Sequence, residues 1–177
     1  GSKLRAGKES LYAGKAAAKH KRPVYCFVDR AEEHLDTGNR PSSRTHVDVA
    51  YNDRGEITGG RIHSFAGVGV SGDGGVFVPS QRYNYQSVDR VHVPLRTNGC
   101  AERPFRAPGR PQGAFVEEMM LDEIATDVGI DPLELRLRLA ANDDLREMFR
   151  IGAERIGWAD RKATGSQKGT IRRGLGM

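Results

Sequence analysis

Residues 44–51 alternate apolar and polar side chains ahead of Asn52-Asp-Arg-Gly55. No other stretch restricts the possible folds as much. Val47, Val49 and Tyr51 fall on one side of a strand, and His46 and Asp48 fall on the other. That is the two-residue period of a half-buried sheet. Asn-Asp-Arg-Gly is a tight-turn sequence, so 57–65 is expected to return beside the first strand as a hairpin. On this register His46 and His63 could face each other. A further alternating strand is expected over 88–95, with Val91, Val93 and Leu95 together.

From Gly113 the period becomes helical. Phe115, Val116, Met119, Met120 and Ile124 share one stripe over 113–128, with Glu117, Asp122 and Glu123 opposite. Adjacent acids such as Glu117-Glu118 do not share a helix face, so they read as solvated charges. Gly129 is placed to end this helix. Asp131-Pro-Leu-Glu134 reads as a capping box with proline at the first helical position, opening a helix that runs to about Ala141. Another helix is expected over 144–157, and a polar linker from Trp158 onward.

Ahead of the hairpin, 4–20 reads as a helix capped by Ser2. Leu4, Leu11, Tyr12 and Ala16 form its apolar stripe, and Gly14 would admit a neighbouring backbone. Pro23-Val-Tyr-Cys-Phe-Val28 reads as a short buried strand with Cys26 as a core thiol. The class implied is α+β, a mixed α/β arrangement with a β-hairpin, mixed strands and a C-terminal helical segment.

Several function classes drop out. The two cysteines, Cys26 and Cys100, form no CxxC pair, so neither a zinc ribbon nor an iron–sulfur site can be built from them. No apolar run is long enough for a membrane span. The net charge of +5 permits nucleic-acid binding, but the basic residues are scattered, and a solvated surface or an acidic partner explains them better. The five histidines lack the i,i+4 spacing of a helical metal site, so no direct metal ligand is expected.

The stretch 97–112 has no period, and its prolines make it a stiff, defined loop. It carries Arg103, Arg106 and Arg110 and runs into the N-terminus of the 113–128 helix. Arginines, backbone N–H groups near Gly109 and Gly113, and a helix N-terminus together suit an anion such as a phosphate or an oxo group. The alternative is a plain connecting loop with solvated arginines.

Phe105-Arg-Ala-Pro-Gly-Arg-Pro-Gln112 resembles the R-A-P-G-x-P-Q motif (R-G-F-G-G-P-Q in animal-type enzymes) of the large, molybdopterin-binding subunit of xanthine dehydrogenase/aldehyde oxidase-type molybdenum hydroxylases. Phe115-Val-Glu-Glu, Asp122-Glu-Ile-Ala and Gly129-Ile-Asp-Pro-Leu-Glu-Leu-Arg136 continue the likeness. Upstream, Arg22-Pro-Val, Asp29-Arg-Ala-Glu-Glu and Gly38-Asn-Arg-Pro41 are similar to its R-P-V, R-E-E and G-x-R-P run, and Gly1-Ser-Lys3 to the end of its G-G-F-G-[GS]-K loop.

The resemblance implies an internal piece of an oxidoreductase that hydroxylates an aldehyde or N-heteroaromatic carbon with water-derived oxygen. The isolated piece is expected to be inactive; the alternative is a non-catalytic structural or assembly fragment. The implied cofactor is molybdenum on molybdopterin, as the cytosine dinucleotide, with [2Fe–2S] clusters and FAD on partner subunits. By position, Gly1, Ser2, Arg106, Ala107, Gly109 and Gln112 would border the cofactor. Leu4 and Pro108 would line the substrate pocket, and the catalytic base is expected beyond Met177. Residues 1–112 would belong to the first molybdopterin-binding domain. A helical segment over 113–158 would complete or connect it, and 159–177 would link to the second. The expected partners are an iron–sulfur subunit and an FAD subunit, with no nucleic acid. The default compartment is the cytoplasm, with the periplasm as the alternative.

Overall fold

The computed structural model describes residues 7–70 and 82–176. Its elements run α1 (Lys8–His20), α2 (Arg30–Asp36), β1 (Ser42–Tyr51), β2 (Ile57–Gly69), β3 (Val88–Arg96), α3 (Arg110–Asp127), α4 (Pro132–Leu139) and α5 (Asp143–Ile156), then a single 3-10 turn at Trp158–Asp160. The strands hydrogen-bond in the order β1-β2-β3. The class is α+β, as expected.

The hairpin forms where the alternation placed it. Asn52 Oδ1 accepts from the N–H groups of Arg54 and Glu56, both at 3.0 Å, and Gly55 turns the chain at φ +75°. β2 runs four residues further than expected. Its burial alternation slips by one residue at Gly59-Gly60, the signature of a bulge at a position without side chains. β2 and β3 run parallel. Gln86 N–H reaches Ile57 O at 3.4 Å and Thr97 N–H reaches Gly69 O at 3.3 Å, so both chains advance in the same direction. The sheet is therefore mixed.

The chain divides into two compact units. The first comprises Gly1–Asp48, Arg61–Pro79 and Asp89–Val116. Its buried residues include Ile62, Ser64, Ala66 and Val68 along one face of β2, with Thr37. Thr45 Oγ1 donates to Ser64 Oγ at 3.3 Å across β1 and β2. The second comprises Val49–Gly60, Ser80–Val88 and Glu117–Met177. Its core is Ile57, Tyr83, Leu121, Ile124, Ala125, Leu135 and Leu139.

Helix ends follow local chemistry. α3 closes in a Schellman motif: Ile130 N–H bonds Ala125 O, Gly129 N–H bonds Thr126 O, and Gly129 sits at φ +70°. At α4 the cap is half of the expected box. Asp131 accepts from Leu133 N–H at 2.7 Å, but the Glu134 carboxylate pairs with Arg138 at 3.0 Å. The complete capping box lies instead at α2, where Asp29 and Glu32 exchange side-chain and backbone bonds.

Four expectations fail. The stretch 23–28 pairs with no strand, and Tyr25, Cys26 and Phe27 are exposed, the two rings stacked at 6.2 Å. α1 has no buried residue, nothing lies within 4 Å of a Cβ built on Gly14, and Leu11 and Tyr12 face outward. In α3 the stripe is rotated. Phe115 and Met119 are exposed, whereas Leu121, Ile124, Ala125 and the carboxylate of Glu117 are buried. Trp158 is also no linker residue: it is buried, its Nε1 donates to Asp131 Oδ1 at 3.0 Å, and Arg161 covers its ring at 3.9 Å.

Candidate functional site

In the first unit, two motifs more than sixty residues apart in sequence are knitted together. Asn39 and Glu102 form a parallel bridge, and Arg103 N–H donates to Asn39 O at 3.0 Å. Gly38 makes this approach possible. It sits at φ +89°, and a Cβ built there would fall on the Arg103 side chain. The Gly38-Asn-Arg-Pro41 stretch is thereby laid along the Phe105–Gln112 loop.

Its side chain and backbone then hold that loop. Arg40 Nη2 donates to Arg106 O at 2.7 Å, and Nη1 donates to Ala107 O at 3.3 Å. The same guanidinium lies 5.0 Å over the Phe105 ring. Gln112 Nε2 donates to Pro41 O at 3.2 Å. Gln112 Oε1 is buried with no hydrogen-bond partner. A buried acceptor left this way costs about 1–3 kcal/mol, so it fits a site that receives a donor from a bound group.

The loop turns through two left-handed residues, Ala107 at φ +55° and Gly109 at φ +74°. For alanine that conformation costs about 1–2 kcal/mol. Arg110 N–H closes on Ala107 O at 3.1 Å and Gly113 N–H on Gly109 O at 2.9 Å. These two N–H groups are thus spent inside the loop, a correction to the expectation that they stay open. α3 starts three residues earlier than the period suggested, at Arg110.

Of the residues singled out from sequence, Arg106, Ala107 and Pro108 are exposed, and Gly109 and Gln112 are half-buried. Gly1, Ser2 and Leu4 lie outside the described residues. Among the described residues the Arg106 and Arg110 guanidiniums, both exposed, make no ion pair. The loop therefore offers unspent positive charge and an orphaned acceptor on a braced backbone, a donor set that fits an anionic, hydrogen-bonding cofactor. Among the described residues no group of three or more His, Cys, Asp or Glu could hold a metal ion. Sequence reading missed Arg40 as a contributor. Its motif was visible, but a contact across 66 residues leaves no local periodicity.

The second unit contains a different polar cluster. Arg136, fully buried, donates from Nε to Glu118 Oε2 at 2.9 Å and from Nη1 to Asp122 Oδ1 at 2.8 Å. Glu117, also buried, accepts from Tyr85 Oη at 2.6 Å and faces Arg82 at 3.4 Å. Tyr83 Oη donates to Glu118 at 3.0 Å. Burial first, and then the neighbouring carboxylates, push both phenols far above the usual tyrosine range. Both phenols stay protonated and donate to these carboxylates.

The chain matches the molybdopterin cofactor-binding domain family over residues 1–140. It is 31% identical to the aldehyde oxidoreductase molybdenum-binding subunit PaoC of Escherichia coli, over 94% of this chain and 25% of that one. It is 24% identical to an indole-3-acetaldehyde oxidase of Zea mays, over 84% of this chain and 11% of that one. Among solved structures, the aldehyde oxidoreductase of Desulfovibrio gigas aligns with a TM-score of 0.73 at 25% identity, covering 93% of this chain and 21% of that one. Quinoline 2-oxidoreductase of Pseudomonas putida 86 aligns with a TM-score of 0.76 at 20% identity over 90% of this chain and 24% of that one, a likeness of fold. The chain thus spans a quarter or less of the length of these relatives. The family match runs through both Gly38–Pro41 and Phe105–Gln112, the two stretches that the structure brings together, and the chain belongs to the molybdopterin cofactor-binding domain family, in the xanthine dehydrogenase/aldehyde oxidase group.

Proposed function

We propose that this chain forms one wall of the molybdenum site in a hydroxylase that oxidises an aldehyde or an apolar N-heteroaromatic. The observation that carries the reading is the Phe105–Gln112 loop, braced by Arg40 and Pro41 and left with an orphaned acceptor at Gln112 Oε1. The cofactor, when bound, supplies the two-electron oxidation. This chain's residues hold and orient it. Arg106 and Arg110 offer positive charge to its anionic groups, Gln112 Oε1 accepts from a donor, and the backbone at Arg106, Ala107 and Gly109 shapes the rim. By the resemblance of Gly1-Ser-Lys3 to the family's G-G-F-G-[GS]-K loop, Gly1 and Ser2 would also border the cofactor.

The finer assignments belong to the same reading. The pterin is the cytosine dinucleotide, and [2Fe–2S] clusters and FAD sit on partner subunits, a reading compatible with the absence of a cluster-binding cysteine set in this stretch. Residues 1–112 form part of the first molybdopterin-binding domain, 113–158 complete or connect it, and 159–177 lead toward the second. Leu4 and Pro108 line the substrate pocket. Leucine offers a purine edge neither donor nor acceptor, and an unpaired polar ligand group costs about 1–3 kcal/mol. Proline supplies no aromatic face for stacking. Both residues disfavour xanthine.

The test is the full-length subunit with its partners. Molybdenum and pterin are measured per subunit, and steady-state rates are compared on xanthine and on an aromatic aldehyde. The expected result is bound molybdenum and a preference for the aldehyde. A colourless, molybdenum-free complex would instead favour a structural role, and a clear preference for xanthine would refute the substrate class.

A further inference from the structure

We propose that Arg40 is a positioning residue for the Phe105–Gln112 loop. Its guanidinium fixes which way the Arg106–Ala107 peptide faces, and so which side of the loop presents N–H rather than C=O to the site. The inference rests on the reading that this loop borders the molybdenum cofactor.

A guanidinium is a planar fork of N–H donors with no acceptor. Here two nitrogens take two consecutive carbonyls, Arg106 O at 2.7 Å and Ala107 O at 3.3 Å, while the charge rests 5.0 Å over the Phe105 ring. Three contacts on three successive residues define a single orientation of the fork. All described peptide bonds are trans. In a trans peptide the N–H points opposite to the C=O. With Arg106 O drawn toward Arg40, the Ala107 N–H is turned to the other side. The next peptide has no N–H, because Pro108 follows, so the loop shows carbonyls toward Arg40 and a donor away from it.

The arrangement is not self-sustaining. Ala107 is held at φ +55°, where a residue with a Cβ is strained, and rotating the Arg106–Ala107 peptide would return it to an ordinary conformation. That rotation would turn the Arg106 carbonyl to the side the N–H now occupies, presenting partial negative charge to an anionic cofactor. Arg40 prevents this by stabilising both carbonyls where they are. Arg40 itself is fixed by the backbone beside it: Asn39 bridges Glu102, and Gly38 packs against the Arg103 side chain. A lysine could carry the charge but is a point donor. It cannot span two carbonyls and cover a ring at once.

The test uses the full-length subunit with its partners and the variants Arg40→Met and Arg40→Lys. Arg30→Ala, which removes an exposed i,i+3 pair with Glu33, is the control. Four quantities are read: molybdenum and pterin per subunit, the rate at which the cofactor is lost, the Mo(V) paramagnetic resonance spectrum, and backbone hydrogen exchange over residues 105–110. Outer residues that orient a metal site are worth about 10–100-fold in affinity or turnover. Arg40→Met is expected to lose cofactor faster by that factor, to shift the Mo(V) spectrum and to lose exchange protection in the loop. Arg40→Lys should recover only part of each, and Arg30→Ala should match the parent. If Arg40→Met fails to fold, Arg40→Lys alone decides. Parent-like exchange, spectrum and retention in Arg40→Lys would overturn the role. A parent enzyme that holds molybdenum beside an Arg40→Met enzyme identical to it would overturn the role of Arg40 alone and leave the function standing. A parent without molybdenum would refute the function, and the exchange readout would still decide whether Arg40 fixes the loop.

Discussion

Replacing Arg136 by methionine keeps most of the side chain's volume and removes its charge, and the consequence can be worked from its contacts. Arg136 donates to Glu118 Oε2 at 2.9 Å, Asp122 Oδ1 at 2.8 Å, Pro132 O at 3.1 Å and Glu118 O at 3.1 Å. Burial opposes its charge, but Asp122 and Glu118 outweigh burial and hold its pKa above the ordinary guanidinium value. Breaking a buried pair from one side costs about 3–5 kcal/mol, because the partner's charge is left uncompensated. Here the loss should lie near the lower end. Asp122 is 51% exposed and can be resolvated, and Glu118 keeps Tyr83 and Arg82 as partners. Arg138, two residues on, is the internal reference. It is 39% exposed, donates from Nη1 to Arg54 O at 3.3 Å and makes an i,i+4 pair with Glu134, a pair worth about 0.3–0.5 kcal/mol. Urea unfolding followed by the fluorescence of Trp158, the chain's single tryptophan, reads the second unit directly. With a urea slope of about 1–3 kcal/mol/M, Arg136→Met should lower the midpoint by about 1–3 M, and Arg138→Ala by much less. Adding Glu118→Gln to Arg136→Met should restore part of the loss by removing the stranded charge. Equal midpoints for Arg136→Met and Arg138→Ala would refute the argument that the buried charges hold α3 and α4 together.

Two further outcomes follow from local geometry. Burial works to raise the Asp131 pKa, but the Trp158 indole, the Arg161 guanidinium and the Leu133 N–H outweigh it and hold it below the ordinary 3.8. Its stabilisation is therefore complete above that value and is lost as pH falls through the lower folded value. Asp131→Ala should cost about 1 kcal/mol or more at pH 7, and the gap to the parent should close below pH 3.8 in paired denaturation curves; an unchanged gap would refute the sign. At the loop, Gly38→Ala should destabilise, because φ is +89° and the new methyl meets Arg103, whereas Ala107→Gly at φ +55° should be neutral or stabilising by up to about 1 kcal/mol. Thermal melting of both variants checks the contrast.

The parts of the fold legible in the sequence were those set by neighbours along the chain. Asn52-Asp-Arg-Gly55 contains its own turn bonds, and Gly129 supplies the left-handed residue that the end of α3 requires. Where local chemistry had two outlets, the pattern misled. Glu134 could cap or pair with Arg138, and it pairs. The α3 stripe was read from apolar residues alone, yet Glu117 and Arg136 take core positions because each meets opposite charge or phenol donors brought from elsewhere in the sequence. The 23–28 stretch shows the opposite limit. Its apolar residues have strand character, but a strand is defined by its hydrogen-bonding neighbour, and the described residues supply none.

The candidate site followed the same division. Its loop could be found because a proline- and glycine-rich stretch leading into a helix is informative by composition, and its family motif is specific. The reason the motif has the form it does emerged only in three dimensions. The position held by Ala107 is glycine in the animal-type version of the motif, and φ +55° explains why both small residues serve there while a bulky one would not. Gly38 is required because Arg103 lies against it, and Arg40 because two carbonyls 66 and 67 residues away turn toward it. Two motifs that read as separate in sequence are thus one physical object, an arginine-braced turn whose carbonyls are engaged on one side so that its other side can face an anion.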